Sequence, residues 1–169
     1  VFLEIFFKSI KTHNFKSPLI IVASEKLLQQ QMKKLGYTFK INTINKNIIQ
    51  FNKLDNKQIN LIDIEYKFNN CFEKISSKSN NYIKRSFDIA LNIIHQNNFS
   101  KFINGPISKK YFLKGKTLGI TEYLATRTKK NNKVAMLIFN KNLSVCPLTT
   151  HLPLKNVHKK ITKKKIYSQ

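Results

Sequence analysis

The feature that most constrains the fold is an unbroken apolar run, Leu19–Ala23, with a helical pattern on each side. Such a run is typical of a strand buried on both faces of a parallel sheet. Before it, apolar residues at helical spacing predict a helix from Phe2 that ends before Pro18. After it, Ser24 can cap a second helix, which Gly36 would terminate. Helix, buried strand and helix in succession indicate the α/β fold class.

Weaker patterns predict further elements along the rest of the chain. They comprise strand-like segments at Tyr37–Ile41, Ile48–Phe51 and Ile59–Glu65, a helix over 79–97, a strand at Phe99–Ile103, a helix at Thr121–Thr128, a hairpin of Lys133–Phe139 with Leu143–Thr149, and a basic helix after Pro153. No repeat or linker marks an internal boundary. We therefore expect residues 1–169 to form one partial α/β region of a longer, two-lobed protein.

The net charge of +23 comes from 31 basic and eight acidic residues. Only Arg85 and Arg127 are arginines, whereas phosphate-reading surfaces favour the bidentate guanidinium. The lysines are spread among many asparagines and isoleucines, which indicates an AT-rich coding background. We therefore do not expect a nucleic-acid partner. The alternative, a basic nucleic-acid-binding protein, predicts lysines gathered on one face.

Other features of the composition indicate a cytoplasmic protein without a membrane partner. No apolar run approaches the roughly 20 residues that cross a bilayer. The apolar start, Val1–Phe7, is too short for a signal peptide and contains an acid. Cys71 and Cys146 lack metal-type spacing and are predicted to be buried free thiols in a reducing compartment. The chain starts without methionine and stops within a helical pattern, so we expect a fragment.

The loop Asn104-Gly105-Pro106 follows the predicted strand Phe99–Ile103 and leads to Lys109. A Gly-Pro pair at this place can bring backbone amides close to a ligand. The residue pattern alone favours another reading, a strand-to-helix turn with Pro106 at the first helical position.

The segment Gly119-Ile120-Thr121-Glu122 contains the only carboxylate that follows Asp88. Thr121 or Glu122 can cap the predicted helix, since the N-terminal dipole favours an acid. Capping does not exclude ligand binding, because the amides at a helix N-terminus also hold phosphate groups.

In the segment Thr149-Thr150-His151-Leu152-Pro153-Leu154, a histidine directly follows an apolar strand. A neutral imidazole there can bind a metal or move a proton. A single histidine does not make a metal site, which needs about three protein ligands. From the residues alone, a hydrogen-bonded structural histidine is the favoured reading.

Taken in this order, the three segments resemble the 4-hydroxythreonine-4-phosphate dehydrogenase family of vitamin B6 biosynthesis. That family has a Thr-Gly-Pro loop, a Gly-His-Thr-Glu segment, a hairpin and then Thr-Thr-His-Leu-Pro-Leu, which Thr149–Leu154 matches in full. The family's proteins are much longer, so their carboxyl-terminal half is expected to be missing. The resemblance implies a three-layer α/β sandwich like isocitrate and isopropylmalate dehydrogenases, with the active site between two lobes.

The resemblance also implies a reaction and its cofactors. The family oxidises 4-phosphooxy-L-threonine with NAD or NADP, and the product loses carbon dioxide. A divalent metal takes part, with zinc expected and magnesium or cobalt as alternatives. By resemblance His151 is a metal ligand, Thr121 contacts the substrate, and a homodimer shares the active site. The other metal histidines belong to the missing half, so this fragment is expected to be inactive alone.

One residue departs from the family pattern, because Ile120 stands where the histidine of Gly-His-Thr-Glu is expected. Isoleucine donates no hydrogen bond, and the loss of such a contact costs about 1–3 kcal/mol. Either a neighbouring lysine replaces the histidine, or the substrate is another phosphorylated four-carbon hydroxy acid.

Overall fold

The computed structural model of the protein describes residues 2–13, 15–130 and 134–169. Its chain divides into two compact units, unit 1 (Val1–Pro106) and unit 2 (Ile107–Gln169). The helices are α1 (Phe2–Thr12), α2 (Glu25–Leu35), α3 (Asn80–Gln96), α4 (Ile120–Arg127), α5 (Leu154–Val157) and α6 (Lys163–Ser168), and the strands are β1 (Ile20–Ala23), β2 (Ile41–Thr43) and β3 (Ile59–Asp63). Short 3-10 helices span Phe51–Lys53, Ser77–Ser79 and His158–Lys160, and a π-helix spans Lys109–Leu113.

Unit 1 is built on a three-stranded parallel sheet in the order β1-β3-β2. In its register Ile21 lies opposite Leu61, and Asn42 lies opposite Asn60. The central strand is buried over its first four residues, Ile59–Ile62, as expected for a strand covered on both faces. The predicted α/β class is thereby confirmed. The finer expectation, a three-layer sandwich like that of isocitrate dehydrogenase, stays a prediction.

The core of unit 1 forms where α1 and α2 pack on the sheet. Phe7, Leu28 and Leu61 are fully buried in one apolar cluster. Tyr37 and Phe39 add aromatic contacts, with ring centroids 5.3 and 6.1 Å from that of Phe7. Burying one such side chain contributes about 1.5–3 kcal/mol, so these contacts explain why both helices pack on this sheet.

The predicted ends of α2 are confirmed. Ser24 Oγ accepts a hydrogen bond from Leu27 N at 3.4 Å and thereby caps the first turn. Gly36 has a φ of 70°, the left-handed conformation in which helices commonly end. Local capping chemistry therefore fixed both ends of this helix.

A buried asparagine joins the start of β1 to the turn that precedes β3. Asn60 Nδ2 donates to the carbonyl oxygens of Leu19 and Asp55, both at 3.0 Å, and its Oδ1 accepts from Asn42 Nδ2 at 3.2 Å. Nearby, Asn56 Oδ1 accepts from Leu19 N at 2.9 Å. These side-chain bonds satisfy backbone groups at the ends of the strands, where the ladder cannot.

Three predictions in unit 1 differ from the structure. The strand expected at 37–41 forms instead at Ile41–Thr43, and the one expected at 48–51 is replaced by a 3-10 turn. Residues 99–103, all of them described, form no strand. The ring of Phe99 contacts that of Phe51, and the ring of Phe102 contacts that of Phe87, with centroids 5.4 and 5.9 Å apart. Tertiary contacts therefore override the strand propensity of this segment.

In unit 2 the predicted helix at 121–128 is confirmed as α4. The predicted hairpin is reduced to one antiparallel bridge, Ile138 with Val145, closed by a bond from Asn140 N to Leu143 O at 3.1 Å. Lys133, the predicted start of its first strand, lies outside the described residues.

The basic helix predicted after Pro153 is broken into α5, a 3-10 turn and α6. Lysines four apart, such as Lys155 with Lys159 and Lys160 with Lys164, repel one another on a continuous helix. Thr162 then starts α6, because its Oγ1 accepts from Lys165 N at 3.2 Å.

Both cysteines are free, as predicted, but only Cys71 is buried. The prediction of a buried thiol is wrong for Cys146, which directly follows the exposed hairpin. Over the part of the chain that the structure describes, no helix is long and apolar enough to span a membrane.

Candidate functional site

His151 lies in the loop between the hairpin and α5, and its side chain is exposed. Within the described residues its imidazole makes no hydrogen bond, so the reading as a hydrogen-bonded structural histidine gains no support. Pro153 precedes the first residue of α5 and fixes how the chain leaves the loop. The imidazole is therefore open to a ligand from outside this loop.

The backbone of His151 is in the left-handed region, with φ 56°. This conformation costs a residue with a side chain roughly 1–2 kcal/mol. Asn98, Lys114 and Lys129 also have positive φ, but each lies within two residues of the end of a helix, where this conformation is common. His151 follows no helix. Such strain is found preferentially at functional sites, so His151 is the backbone outlier that merits a functional explanation.

Ile120, Thr121 and Glu122 form the first turn of α4, and all three are half-buried. The N-cap is Gly119, which has no side chain to cap with, so the prediction that Thr121 or Glu122 occupies the cap is wrong. Glu122 instead lies within the first turn, where its negative charge interacts favourably with the positive end of the helix dipole. A Cβ at Gly119 would lie 2.8 Å from Glu122 Oε2, so the Glu122 carboxylate folds back towards the N-cap of its own helix.

Thr121 and His151 both belong to unit 2, yet no hydrogen bond joins them within the described residues. The structure places them on two different elements, α4 and the loop before α5. Their roles as substrate contact and metal ligand stay predictions.

The Gly-Pro loop is packed against the first helix. A Cβ at Gly105 would lie 2.6 Å from Phe2 Cγ, so this glycine is required by a close approach to an aromatic ring. Pro106 does not begin a helix, because the next helical segment starts at Lys109 after Ser108, whose Oγ accepts from Tyr111 N. The prediction of Pro106 at the first helical position is therefore wrong.

Unit 1 has an open groove of about 520 Å³ at the carboxyl ends of β1 and β3, where α/β sheets commonly bind ligands. Glu25 N, at the start of α2, donates to Asp63 Oδ1 at 2.7 Å. A carboxylate thus already occupies this helix N-terminus and disfavours an anionic ligand there.

Beside that groove, Tyr66 stacks on Tyr82 with ring centroids 4.6 Å apart, and Tyr82 Oη accepts from Ser24 N at 3.0 Å. Burial raises the pKa of the Tyr82 phenol, which favours its neutral form. The sequence analysis missed this cluster, because its members come from separate elements and share no local spacing.

The described residues do not complete a metal site. Nowhere in 2–13, 15–130 and 134–169 do three His, Cys, Asp or Glu side chains come together in a way that could hold a metal ion. His151 is thus a single imidazole donor, and a metal bound there needs its other ligands from outside these residues.

Comparison with known proteins is informative for almost the whole chain. Residues 14–169 match the model of the family described as pyridoxal phosphate biosynthetic protein PdxA. The chain belongs to this family. The family match thus covers the Gly-Pro loop, α4 and the loop that carries His151.

Two curated relatives of this PdxA family member are each named 4-hydroxythreonine-4-phosphate dehydrogenase. The protein of Sulfurihydrogenibium sp. is 31% identical over 152 residues, which cover 89% of this chain and 45% of that protein. The protein of Colwellia psychrerythraea is 26% identical over 156 residues, which cover 91% and 47%. The chain spans about half the length of the curated relatives it matches.

Proposed function

We propose that this chain is part of an oxidoreductase that oxidises 4-phosphooxy-L-threonine with NAD or NADP and then releases carbon dioxide. The observation that carries the proposal is the family match over residues 14–169, together with the dehydrogenase names of both relatives. In this reaction the secondary alcohol loses a hydride to the nicotinamide and a proton to a base. The resulting β-keto acid loses its carboxylate as carbon dioxide.

We assign His151 the role of a metal ligand in this reaction. Its exposed imidazole, its lack of a hydrogen bond in the described residues and its left-handed backbone support the assignment. A divalent metal, zinc or else magnesium or cobalt, would supply Lewis-acid activation of the substrate oxygens. Because this chain contributes one imidazole, we expect it to have no activity without the other ligands.

Thr121 is proposed to contact the substrate from the first turn of α4. Thr121 matches the threonine of the family's Gly-His-Thr-Glu segment, and membership of that family is what supports this role. Ile120, the preceding residue, offers no polar group. A dehydrogenase for another phosphorylated four-carbon hydroxy acid is therefore the second candidate, and Ile120 is the observation that favours it.

The function is tested with a hybrid enzyme in which this chain replaces the matched part of the Sulfurihydrogenibium relative. We expect NADH or NADPH formation from 4-phosphooxy-L-threonine, followed by absorbance at 340 nm. His151→Ala should lower kcat/KM and metal content together, with activity falling about 100-fold or more. His158→Ala is the matched control, since His158 is also exposed and lies outside the loop, in the 3-10 helix that follows α5. Equal losses in the two variants would contradict the role of His151.

The substrate is tested in the same hybrid with Ile120→His. If 4-phosphooxy-L-threonine is the substrate, regaining the missing donor should raise kcat/KM about tenfold. Faster turnover of a phosphorylated sugar acid, with a loss of that activity in Ile120→His, would establish the second candidate instead.

The family resemblance carries two further proposals, a homodimer that shares its active site and a cytoplasmic location. A sedimentation measurement on the hybrid tests the first, and a dimer is expected. The basic residues number sixteen among the 106 residues of unit 1 and fifteen among the 63 residues of unit 2, so unit 2 is the more densely basic. A basic nucleic-acid-binding protein stays the alternative from another class, and it predicts binding that weakens steeply with salt.

A further inference from the structure

One hydroxyl in unit 2 is buried without a hydrogen-bond partner. Thr117 is half-buried as a residue, but its Oγ1 is shielded from solvent and forms no hydrogen bond within the described residues. A buried hydroxyl that has lost its bonds to water costs free energy unless another polar group replaces them. Proteins rarely keep such a group, so the Thr117 hydroxyl needs an explanation, and a bound ligand is one.

This hydroxyl has no part in capping the helix that follows it. A threonine close to the start of a helix commonly caps the first turn, as Thr162 does for α6. Thr117 does not cap α4, because the N-cap is Gly119 and the Thr117 Oγ1 bonds to none of the helix amides. The usual structural role of such a threonine is therefore not filled here.

The turn that carries Thr117 is held in place by its neighbours. Lys116 N donates to Leu113 O at 2.9 Å, which ties the turn to the end of the π-helix. The ring of Phe112, in that π-helix, contacts the ring of Tyr123 in α4, with centroids 5.2 Å apart. π-Helical turns are rare and occur frequently at functional sites. The position of Thr117 is thus set by contacts that do not use its own hydroxyl.

The segment that directly follows Thr117 is the one to which the proposed function gives substrate contact. Ile120 and Thr121 begin α4, three and four residues after Thr117. Ile120 offers no polar group where the family pattern has a histidine. Building on the proposed function, we propose that Thr117 is a substrate-binding residue. Its hydroxyl donates a hydrogen bond to the anionic group, phosphate or carboxylate, that Ile120 cannot contact, and so gains its missing partner.

Removal of the hydroxyl should separate stability from binding. Thr117→Val replaces the hydroxyl by a methyl group of nearly the same shape and breaks no hydrogen bond of the described residues. The thermal midpoint of the substrate-free hybrid enzyme should therefore stay the same or rise, because a buried polar group without a partner is lost. A midpoint that fell in Thr117→Val and recovered in Thr117→Ser would reveal a structural hydrogen bond and overturn the proposal.

Binding is measured in the same hybrid, with 4-phosphooxy-L-threonine and a phosphorylated four-carbon sugar acid as probes. Thr117→Val should lower kcat/KM for the substrate that is oxidised about tenfold, because a hydrogen bond to a charged group is lost, and Thr117→Ser should restore it. Thr126→Val is the matched control, since the Thr126 hydroxyl already donates to Glu122 O at 3.0 Å within α4. It should leave kcat/KM unchanged.

A double-mutant cycle then tests whether positions 117 and 120 serve the same anionic group. Ile120→His should raise kcat/KM by a larger factor in the Thr117→Val hybrid than in the hybrid that keeps Thr117. Independent effects of the two substitutions would overturn the proposal. So would an unchanged kcat/KM in Thr117→Val, which would leave the proposed function intact. A hybrid that keeps Thr117 and oxidises neither probe would overturn both.

Discussion

Unit 1 and unit 2 both have many apolar residues but bury them to different extents. Among the described residues, thirteen of the buried apolar side chains belong to unit 1 and two, Leu113 and Ala125, belong to unit 2. The difference follows from the sheet. A parallel sheet with helices against it gives apolar side chains a place to pack, whereas a two-stranded hairpin alone is marginal in water. Apolar content therefore does not make a core without a second layer.

The largest expected difference between the units concerns two phenylalanines. Phe7→Ala should destabilise unit 1 by about 3–5 kcal/mol, because it leaves a cavity in a fully buried cluster. Phe139→Ala, at a residue that is 74% exposed, should change stability by less than about 0.5 kcal/mol. Urea unfolding followed by circular dichroism measures both. Similar losses in the two variants would mean that the hairpin is already covered.

A smaller difference is expected between two asparagines. Asn60→Ala should cost about 2 kcal/mol, because it removes the donor to the carbonyls of Leu19 and Asp55. Asn140→Ala removes only an exposed turn bond, in which Asn140 Oδ1 accepts from Asn142 N at 3.0 Å. Its expected cost is below about 0.5 kcal/mol. An equal cost in urea unfolding would place the Asn140 turn within the cooperative core.

The cost of replacing a glycine that has a positive φ can also be compared between the two units. Gly36 and Gly115 have φ of 70° and 73°, and a Cβ at either would meet no atom within 4 Å. The cost of an alanine is therefore conformational alone, about 1–2 kcal/mol where the surrounding structure holds the backbone. We expect that cost for Gly36→Ala in the unfolding of unit 1, and a smaller one for Gly115→Ala. A larger effect at Gly115 would contradict the contrast.

The smallest effect concerns alkaline pH and Tyr82 of unit 1. Burial raises the pKa of its phenol above the ordinary value of 10.0. As the pH rises past 10, the phenol ionises more readily in the unfolded chain than in the folded one. The stability that the neutral phenol contributes is therefore fully present below pH 10 and is lost as the pH rises further. Tyr82→Phe should reduce this fall when urea midpoints are compared between pH 9 and 11. If the phenol ionised equally in the folded and unfolded chains, Tyr82→Phe would leave the pH dependence of the urea midpoint unchanged.

The sequence predicted best those elements that short-range chemistry determines. The apolar run of β1, the cap at Ser24 and the left-handed Gly36 all lie within or beside the elements they define. The segment 99–103 was predicted wrongly, because its phenylalanines pack on residues from distant parts of the chain. Periodicity alone does not reveal such contacts.

For the candidate site, the motif around His151 was visible in the sequence, but its backbone strain was not. A positive φ at a histidine has no sequence signal, unlike one at glycine. The exposure of the hairpin could not be predicted either. An apolar strand pattern indicates which residues should be buried, but it does not reveal which other residues cover them.

The contrast between the units is tested most directly by amide hydrogen exchange on the 169-residue chain alone. The buried strand β3 should exchange through global unfolding of unit 1 only, because its four buried residues lie at the centre of the sheet. The amides of Ile138 and Val145 should exchange many times faster, by local opening of a single bridge. If instead the hairpin amides were protected as strongly as those of β3, unit 2 would have a core of its own and the contrast would be wrong.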